Sequence, residues 1–319
     1  MNTNVRNSNY MPPDATIVIT TKNRKDDLRR ALASAVAQDG SVEVLVIDDG
    51  STDGTSDMVR SEFLQVRLHR DEVSKGLIVQ RNQAAKLAAG RIIISIDDDA
   101  ELMSPSTVQQ VVAEFDHPRV GAVAMPFIDV HRKVSHLPPP GSGEKVLIAK
   151  AYVGTAHALR RDIFLRLGGY REFLFHQGEE SDYCVRLMAA GYVIRYGHST
   201  PLHHYVSPRR DSERIVVYGA RNGILYAWHN VPMPFFLAHC FINILNVIRN
   251  GFYQGRTLWA VRGILRGFLD SGRDFRSRSP VPATIYKLGL RLRHRPLPLG
   301  MAEPYLPPIT STSEIHVPD

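Results

Sequence analysis

The sequence predicts an α/β fold: a mostly parallel sheet flanked by helices, with a helical appendage at its C-terminal end. Three observations carry this expectation. In the first third of the chain, short β-branched runs alternate with segments of helical spacing, the signature of βαβ units and so of parallel strands. Two of those runs end in acidic clusters, Asp48-Asp49 and Asp97-Asp98-Asp99, at the strand ends where an open α/β sheet holds its ligand. From Ser212 onward the pattern turns helical, broken at Pro232 and Pro234.

Taken in order, residues 16–20 are a β-branched run and so a strand. A helix over 24–38 follows, with Leu28, Ala31, Leu32, Ala35 and Val36 at helical spacing. Residues 42–47 form a second strand, closed by Asp48-Asp49-Gly50-Ser51, and a turn at Asp53-Gly54-Thr55 leads to a helix over 56–63. A weaker strand at 66–68 precedes a helix over 77–89, ended by Gly90 at its C′ position. The apolar run 92–96 then delivers the aspartate triplet. Beyond it the sequence predicts a strand at 120–125, an irregular Pro/Gly loop at 137–143, helices at 161–167 and 180–190 stopped by glycines, and a strand at 192–196.

Of the 319 residues, 44% are hydrophobic, which suits one large domain with a buried core. The expected division is a polar, disordered lead-in (1–13), an α/β domain (14–210), a helical region (211–276) and a Pro- and Arg-rich, poorly ordered tail (277–319). The lead-in lacks the apolar stretch of a secretory signal peptide. Two cysteines, Cys184 and Cys240, make no disulfide framework and fit a reducing compartment, so a cytoplasmic protein is expected. The net charge of +7 comes largely from arginines between Arg249 and Arg295; they suit a solvated surface, an anionic lipid surface or an anionic substrate. No nucleic-acid-binding signature is present, so nucleic acid is not an expected partner.

Chemistry concentrates in four places. Three adjacent carboxylates at a strand end need a counter-charge, and a hard divalent cation is the simplest one. Side chains alternate along an extended segment, so Asp97 and Asp99 point the same way and can share one metal, which could hold a diphosphate. Asp48 and Asp49 stand at a strand rim where a carboxylate can accept from a base N–H or a ribose hydroxyl, although the same four residues also make a plain turn. Glu179, Glu180 and Asp182 open a helix; they either complement its dipole or supply a general base, and Arg186 can pair with Asp182 one turn later. His203-His204 follows the 192–196 strand, as surface or structural histidines or as a nitrogen ligand for the metal.

With these residues in order, the chain resembles the family 2 glycosyltransferases of the GT-A fold over roughly 16–228. The resemblance rests on Thr20-Thr21-Lys22-Asn23-Arg24, on Asp48 to Thr55, and on Gly76 and Arg81-Asn82 ahead of Ala89-Gly90. It continues through the metal-binding Asp97-Asp98-Asp99, through Arg160-Arg161 and Gly168-Gly169-Tyr170, and through Glu179-Glu180, Asp182 and Arg186. What it implies is an inverting transfer from a nucleotide-diphosphate sugar to a saccharide or lipid-linked acceptor. Thr20, Asn23, Arg24, Asp48, Asp49, Arg81 and Asp98 would lie at the donor. Asp97 and Asp99 would hold Mg²⁺ or Mn²⁺, with His203 or His204 as a late ligand. The family's usual base is the Asp of Glu-Asp; here that position carries Glu180, one methylene longer, with Glu179 in reserve and Asp182 beside them.

The apolar stretch 235–248, about 14 residues, is too short to span a bilayer, which needs about 20. The segment 258–273 reads as an amphipathic basic helix, with Leu258, Trp259, Val261, Ile264, Leu265, Phe268 and Leu269 on one face and Arg262, Arg266 and Arg273 among them. It would pack on the catalytic domain or dock peripherally on an anionic membrane, at the cytoplasmic face. Two other functions fit an α/β fold with acidic metal ligands. A nucleotidyltransferase would want a Gly-rich phosphate loop near the first strand, and none is found. A non-catalytic nucleotide-sugar-binding domain would not need the intact triplet and Glu180.

Overall fold

The structure, a computed structural model, describes residues 12–139, 146–206, 212–273 and 278–309. Nearly all of the expected lead-in, residues 140–143 of the Pro/Gly loop and residues 310–319 of the tail lie outside the described residues.

The alternation read from the sequence folds as expected. β1 (Ala15–Thr21), α1 (Lys25–Val36), β2 (Val42–Asp49), α2 (Thr55–Glu62), β3 (Arg67–Asp71), α3 (Leu77–Leu87) and β4 (Ile92–Asp97) form a parallel ladder in the order β4-β1-β2-β3. Helices cover both sides of β1, so Ile17 and Ile19 on one face and Thr16 and Val18 on the other are all buried, and the strand is apolar nearly throughout. In α1 the predicted stripe of Leu28, Ala31, Leu32 and Ala35 is the buried one. Gly90 does not end α3, whose C-cap is Ala88. It lets the chain pass against β1: a Cβ there would stand 2.4 Å from the Ala15 carbonyl carbon.

After β4 the chain makes β5 (Ala100–Glu101), α4 (Thr107–Ala113), β6 (Val120–Ala124), β7 (Phe127–Asp129), β8 (Val134–His136), β9 (Leu147–Ala149), β10 (Ala156–Arg160) and α5 (Arg161–Arg166). A 3-10 turn (Glu172–Leu174) leads to α6 (Glu179–Ala189), β11 (Val193–Tyr196) and β12 (Leu202–His204). The C-terminal part holds α7 (Ser212–Asn230), α8 (Met233–Tyr253), α9 (Thr257–Arg273), α10 (Ala283–Leu292), β13 (Leu297–Pro298) and α11 (Leu299–Ala302). The main sheet has nine strands in the order β13-β9-β11-β6-β10-β4-β1-β2-β3, and only β10 and β9 run against the rest. A small sheet, β5-β12-β7-β8, sits beside the end of β4.

Several expectations change. The tail is not poorly ordered between 278 and 309: α10 buries Ile285 and Leu288 completely, and β13 pairs with β9 at the edge of the main sheet. Pro234 does not break a helix; it lies in the first turn of α8, where its missing N–H costs nothing. The apolar stretch at 235–248 belongs to a helix of 21 residues, long and apolar enough to cross a membrane by length and composition, and little of it is buried against the rest of the described residues. α9 crosses α7 closely, since a Cβ on Gly263 would stand 2.4 Å from the Val217 carbonyl oxygen.

Candidate active site

β4 ends at the site and the chain turns at once into β5, so Asp97 stays partly exposed while Asp98 and Asp99 are buried. β12 pairs antiparallel with β5, with His204 opposite Ala100, and the Tyr205 N–H donates to the Asp99 carbonyl at 2.8 Å. That register carries the His204 ring to the carboxylates: Nε2 is 3.2 Å from Asp99 Oδ1 and 3.9 Å from Asp97 Oδ2. One ligand atom from each of Asp97, Asp99 and His204 lies within 4.8 Å of the others. His203 alternates away on the same strand and is half-buried, with its ring 6.4 Å from that of Tyr205. Of the two histidines left open by the sequence, the structure brings His204 to the triplet.

These residues fit a divalent cation. Two carboxylate oxygens and an imidazole nitrogen form a donor set that accepts Mg²⁺ or Mn²⁺. The His204 ring is buried; its Nδ1 has no hydrogen-bond partner among the described residues and its Nε2 faces only the carboxylates of Asp99 and Asp97, an arrangement that suits a cation shared by the three side chains.

The triplet also has counter-charges within the protein. Arg24 reaches Asp98 Oδ1 at 3.0 Å and Asp99 Oδ2 at 2.8 Å, and the Thr21 hydroxyl donates to Asp98 Oδ2 at 2.8 Å. Burial pushes Asp98 up to about 7, opposed by Arg24 and Thr21. At Asp99 burial pushes the same way, but contact with His204 and Arg24 outweighs it and holds this carboxyl at about 2. Asp98 thus points back toward the β1–α1 connection, away from the pair formed by Asp97 and Asp99.

Arg81 is buried in α3 and spans the site. Its Nη2 lies 3.1 Å from Asp97 Oδ1 and donates to the Gly154 carbonyl at 2.9 Å, while Nη1 lies 3.1 Å from Glu179 Oε1 and 3.9 Å from Glu180 Oε1. Gly154 leaves room for this packing: a Cβ there would stand 2.4 Å from Glu180 Oε1 and 2.9 Å from Arg81 Nη1 and would push both side-chain ends aside. Glu179 is buried, and its Oε2 has no hydrogen-bond partner among the described residues. Burial, joined by repulsion from Glu180, pushes Glu179 up to about 7. Glu180 is the more accessible of the two, with 22% of its side chain exposed.

Other predicted residues hold loops. Asn23 takes a positive φ of 54°, and its Oδ1 accepts the Thr52 N–H at 2.7 Å, tying the β1 loop to the β2 loop. Thr20 lies on β1 in register with Asp97. Asp48 is fully buried, accepting from the Ser51 N–H at 2.8 Å and from the Ser56 hydroxyl. Asp49 accepts from the Ser74 hydroxyl, the Lys75 and Gly76 N–H groups and Gln80 Nε2, and these bonds outweigh burial to hold it below the ordinary carboxylate range. Asp182 makes none of its hydrogen bonds or ion pairs with the triplet or with Arg81. Arg171 reaches it at 2.7 Å, Arg186 at 3.0 Å and Asn230 Nδ2 at 2.8 Å, so its carboxylate is engaged in a buried ion-pair network within the protein.

Sequence reasoning missed Gly154 and Thr155, whose hydroxyl donates to Asp97 Oδ2 at 2.8 Å. Both precede β10, a strand with little β-branched character, so no local signal marked them. It also missed Asn222 of α7, whose Nδ2 donates to the carbonyls of Leu174, His176 and Gln177 at 2.9, 2.8 and 2.6 Å. That triple bond set fixes the loop leading into α6 even though Phe175 and Gln177 have φ of 61° and 67°, backbone conformations that cost energy.

The family model described as glycosyl transferase family 2 matches residues 16–170. The succinoglycan biosynthesis protein ExoU of Rhizobium meliloti is 28% identical over 210 residues, which cover 59% of this chain and 60% of that protein. The chain therefore spans less than two thirds of that relative's length. S. aureus TarS 1-349, solved in complex with UDP-GlcNAc, matches at a TM-score of 0.62 and 16% identity over 88% of this chain and 87% of that one. The mannosyltransferase PcManGT from Pyrobaculum calidifontis, solved with GDP-Man and Mn2+, matches at a TM-score of 0.56 and 19% identity over 93% and 83%. At such identities the structural likeness is one of fold.

Proposed function

The chain belongs to glycosyl transferase family 2 through residues 16–170 and has the GT-A fold, and from that premise we propose that it moves a sugar, with inversion, from a nucleotide-diphosphate donor to an acceptor hydroxyl in polysaccharide or glycoconjugate assembly. The observation that carries this reading is the line from Asp97, Asp99 and His204 through Arg81 to Glu179 and Glu180. On this reading a cation site and a carboxylate base stand on two sides of one guanidinium. Related chains are named for succinoglycan and O-antigen biosynthesis, and the fold neighbours were solved with UDP-GlcNAc and with GDP-Man.

Asp97, Asp99 and His204 would hold Mg²⁺ or Mn²⁺, which supplies Lewis-acid stabilisation for a departing diphosphate. The protein's own residues do the rest. Arg24 anchors Asp98 and Asp99, and Arg81 with Thr155 fixes Asp97, so the ligands are oriented before substrate arrives. Glu180 acts as base: its carboxylate takes the acceptor hydroxyl's proton, the freed oxygen pair bonds the anomeric carbon, and the bond from that carbon to the diphosphate oxygen breaks with its electrons leaving on the diphosphate. Glu180 is preferred to Glu179 because a base must first reach the proton, and Glu179 is closed in behind Arg81.

The test is nucleoside diphosphate release from a panel of UDP-, GDP- and dTDP-sugars with Mn²⁺. Asp99→Ala and Glu180→Gln should each lower turnover by roughly 10²-fold or more, with Glu180→Gln leaving donor binding intact. Absence of metal-dependent turnover with every donor would favour a non-catalytic nucleotide-sugar-binding domain.

A peripheral contact with anionic membrane belongs to the same reading. Leu237, Phe241, Leu245 and Phe252 of α8 and Leu258, Leu265 and Leu269 of α9 are all more than half exposed, and Arg256, Arg262 and Arg273 stand close by in sequence. That composition suits an interfacial helix pair on the cytoplasmic face, and the two cysteines, both free and buried, fit the reducing compartment on that side.

A further inference from the structure

The loop that leads into α6 needs support from outside itself. Phe175, Gln177 and Gly178 have φ of 61°, 67° and 87°, the left-handed region that Phe and Gln adopt only where their surroundings hold them there. The loop runs directly into Glu179 and Glu180, the first two residues of α6. Its conformation therefore decides where both carboxylates stand.

The support is an amide whose own orientation is fixed from behind. Asn222 Nδ2 donates to the carbonyls of Leu174, His176 and Gln177. Flipped, the same side chain would turn its Oδ1 on those three oxygens. Arg221 prevents the flip: its Nη1 donates to Asn222 Oδ1 at 2.8 Å and to the Phe173 carbonyl at 3.0 Å. Arg221 is itself buried, and a buried charge needs a partner. Asp270 of α9 supplies it, with Oδ2 2.6 Å from Arg221 Nε, while the Tyr218 ring stands 5.8 Å from the guanidinium carbon. Asp270 reaches that far because α9 lies tight on α7. A Cβ on Gly267 would stand 2.8 Å from the Arg221 carbonyl oxygen, and Asp270 follows Gly267 by three residues, on the same side of the helix. Carboxylate, guanidinium, amide and loop thus form one chain of contacts from α9 to Glu180, although α9 lies beyond the residues, 16–170, that match the family model.

Resting on the glycosyl-transfer reading, with Glu180 as its base, we propose that Asp270 is a positioning residue for the reaction: it holds Arg221, Arg221 orients Asn222, and Asn222 keeps the strained loop that places Glu180. The helical region is then a working part of the transfer site. Adhesion between α7 and α9 is a separate matter, since Arg262 and Glu213 join the same two helices at 2.7 Å on the exposed surface. That pair supplies the control.

Nucleoside diphosphate release with Mn²⁺ is measured on the full chain for wild type, Asp270→Asn and Glu213→Gln, and amide hydrogen exchange of residues 173–180 is followed in the same proteins. Asp270→Asn should lower kcat about tenfold while donor KM and the affinity for nucleoside diphosphate stay within about twofold. It should also speed exchange across 173–180, and Glu213→Gln should do neither. In a Glu180→Gln background the loss caused by Asp270→Asn should vanish from the residual turnover, because no base is left to place. An equal loss in both backgrounds overturns the proposal. So does a loss that appears in donor KM, or one that Glu213→Gln reproduces, either of which would mark helix packing alone. If Asp270→Asn melts below the assay temperature, Arg221→Lys takes its place under the same outcomes: it keeps the cation but lacks the fork that bonds Asp270, Asn222 and the Phe173 carbonyl together. Failure of the transfer reading looks different: no donor is turned over by wild type, while the exchange difference between Asp270→Asn and Glu213→Gln persists. That outcome also removes the role assigned to Asp270, since the pinned loop would then carry no base.

Discussion

Arg81 serves two carboxylates of different duty with one guanidinium, at 3.1 Å from Asp97 and 3.1 Å from Glu179. One consequence is thermodynamic. Glu179 is pushed from its ordinary 4.5 up to about 7 by burial and by Glu180, so the folded protein holds a proton there that the unfolded chain has already lost. The favourable contribution is complete below about 4.5 and is lost as pH rises through about 7. Wild type should therefore lose stability relative to Glu179→Gln between pH 5 and pH 8, by about 2 kcal/mol, in thermal unfolding at a series of pH values; parallel curves would contradict it. A second residue-scale prediction separates the histidines. His204→Ala should abolish the Mn²⁺-dependent gain in nucleotide affinity, while His203→Ala stays within about twofold of wild type, in titrations with and without metal. The acids of this site were legible in the sequence because a run of carboxylates at a strand end needs explaining. The choice between His203 and His204 was not, because it depends on pairing with β5, a strand of two residues.

The element that most deserves testing is the loop between the 3-10 turn and α6. Its own backbone bonds are two turn contacts, Phe175 N–H to the Glu172 carbonyl at 3.0 Å and His176 N–H to the Leu174 carbonyl at 2.6 Å, and Asn222 Nδ2 donates to the carbonyls of Leu174, at the end of the turn, and of His176 and Gln177 in the loop. Asn222→Ala should cost about 2–4 kcal/mol of stability and lower kcat more than it raises the donor KM, because the loop positions Glu180 and not the donor; an unchanged melting temperature would refute this. The regular βαβ part, from β1 to β4, was readable since each element there carries its own periodicity. β10 and the small sheet were not. β10 reads Ala-His-Ala-Leu-Arg, with little strand propensity, and it is a strand because β4 and β6 flank it on both sides. The small sheet is built of strands of two or three residues, too short to show alternation.

For the molecule as a whole, the basic and apolar C-terminal surface makes a prediction about partition. The protein should co-sediment with phosphatidylglycerol vesicles at low salt, release substantially as ionic strength rises to about 1 M, where screening shortens the reach of charge to about 3 Å, and bind neutral vesicles weakly. Remaining wholly in the supernatant with anionic vesicles at low salt would remove membrane contact from the functional reading. The tail showed the limit of composition: its prolines and arginines suggested a disordered segment, yet Leu288 is fully buried and Val281 N–H donates to the Asn230 carbonyl at 3.1 Å. What orders it is a surface already made by the rest of the chain.

The pairing of β13 with β9 sets a schedule for biosynthesis. Ile148 finds its partner Leu297 about 150 residues further along, so β9 leaves the ribosome long before the strand that covers it. At roughly 5–20 residues per second, its outer edge waits many seconds with unpaired amides, the kind of edge on which nascent chains join one another. Its three residues, Leu147–Ala149, offer a template too short to hold a stranger while the rest of the chain is made.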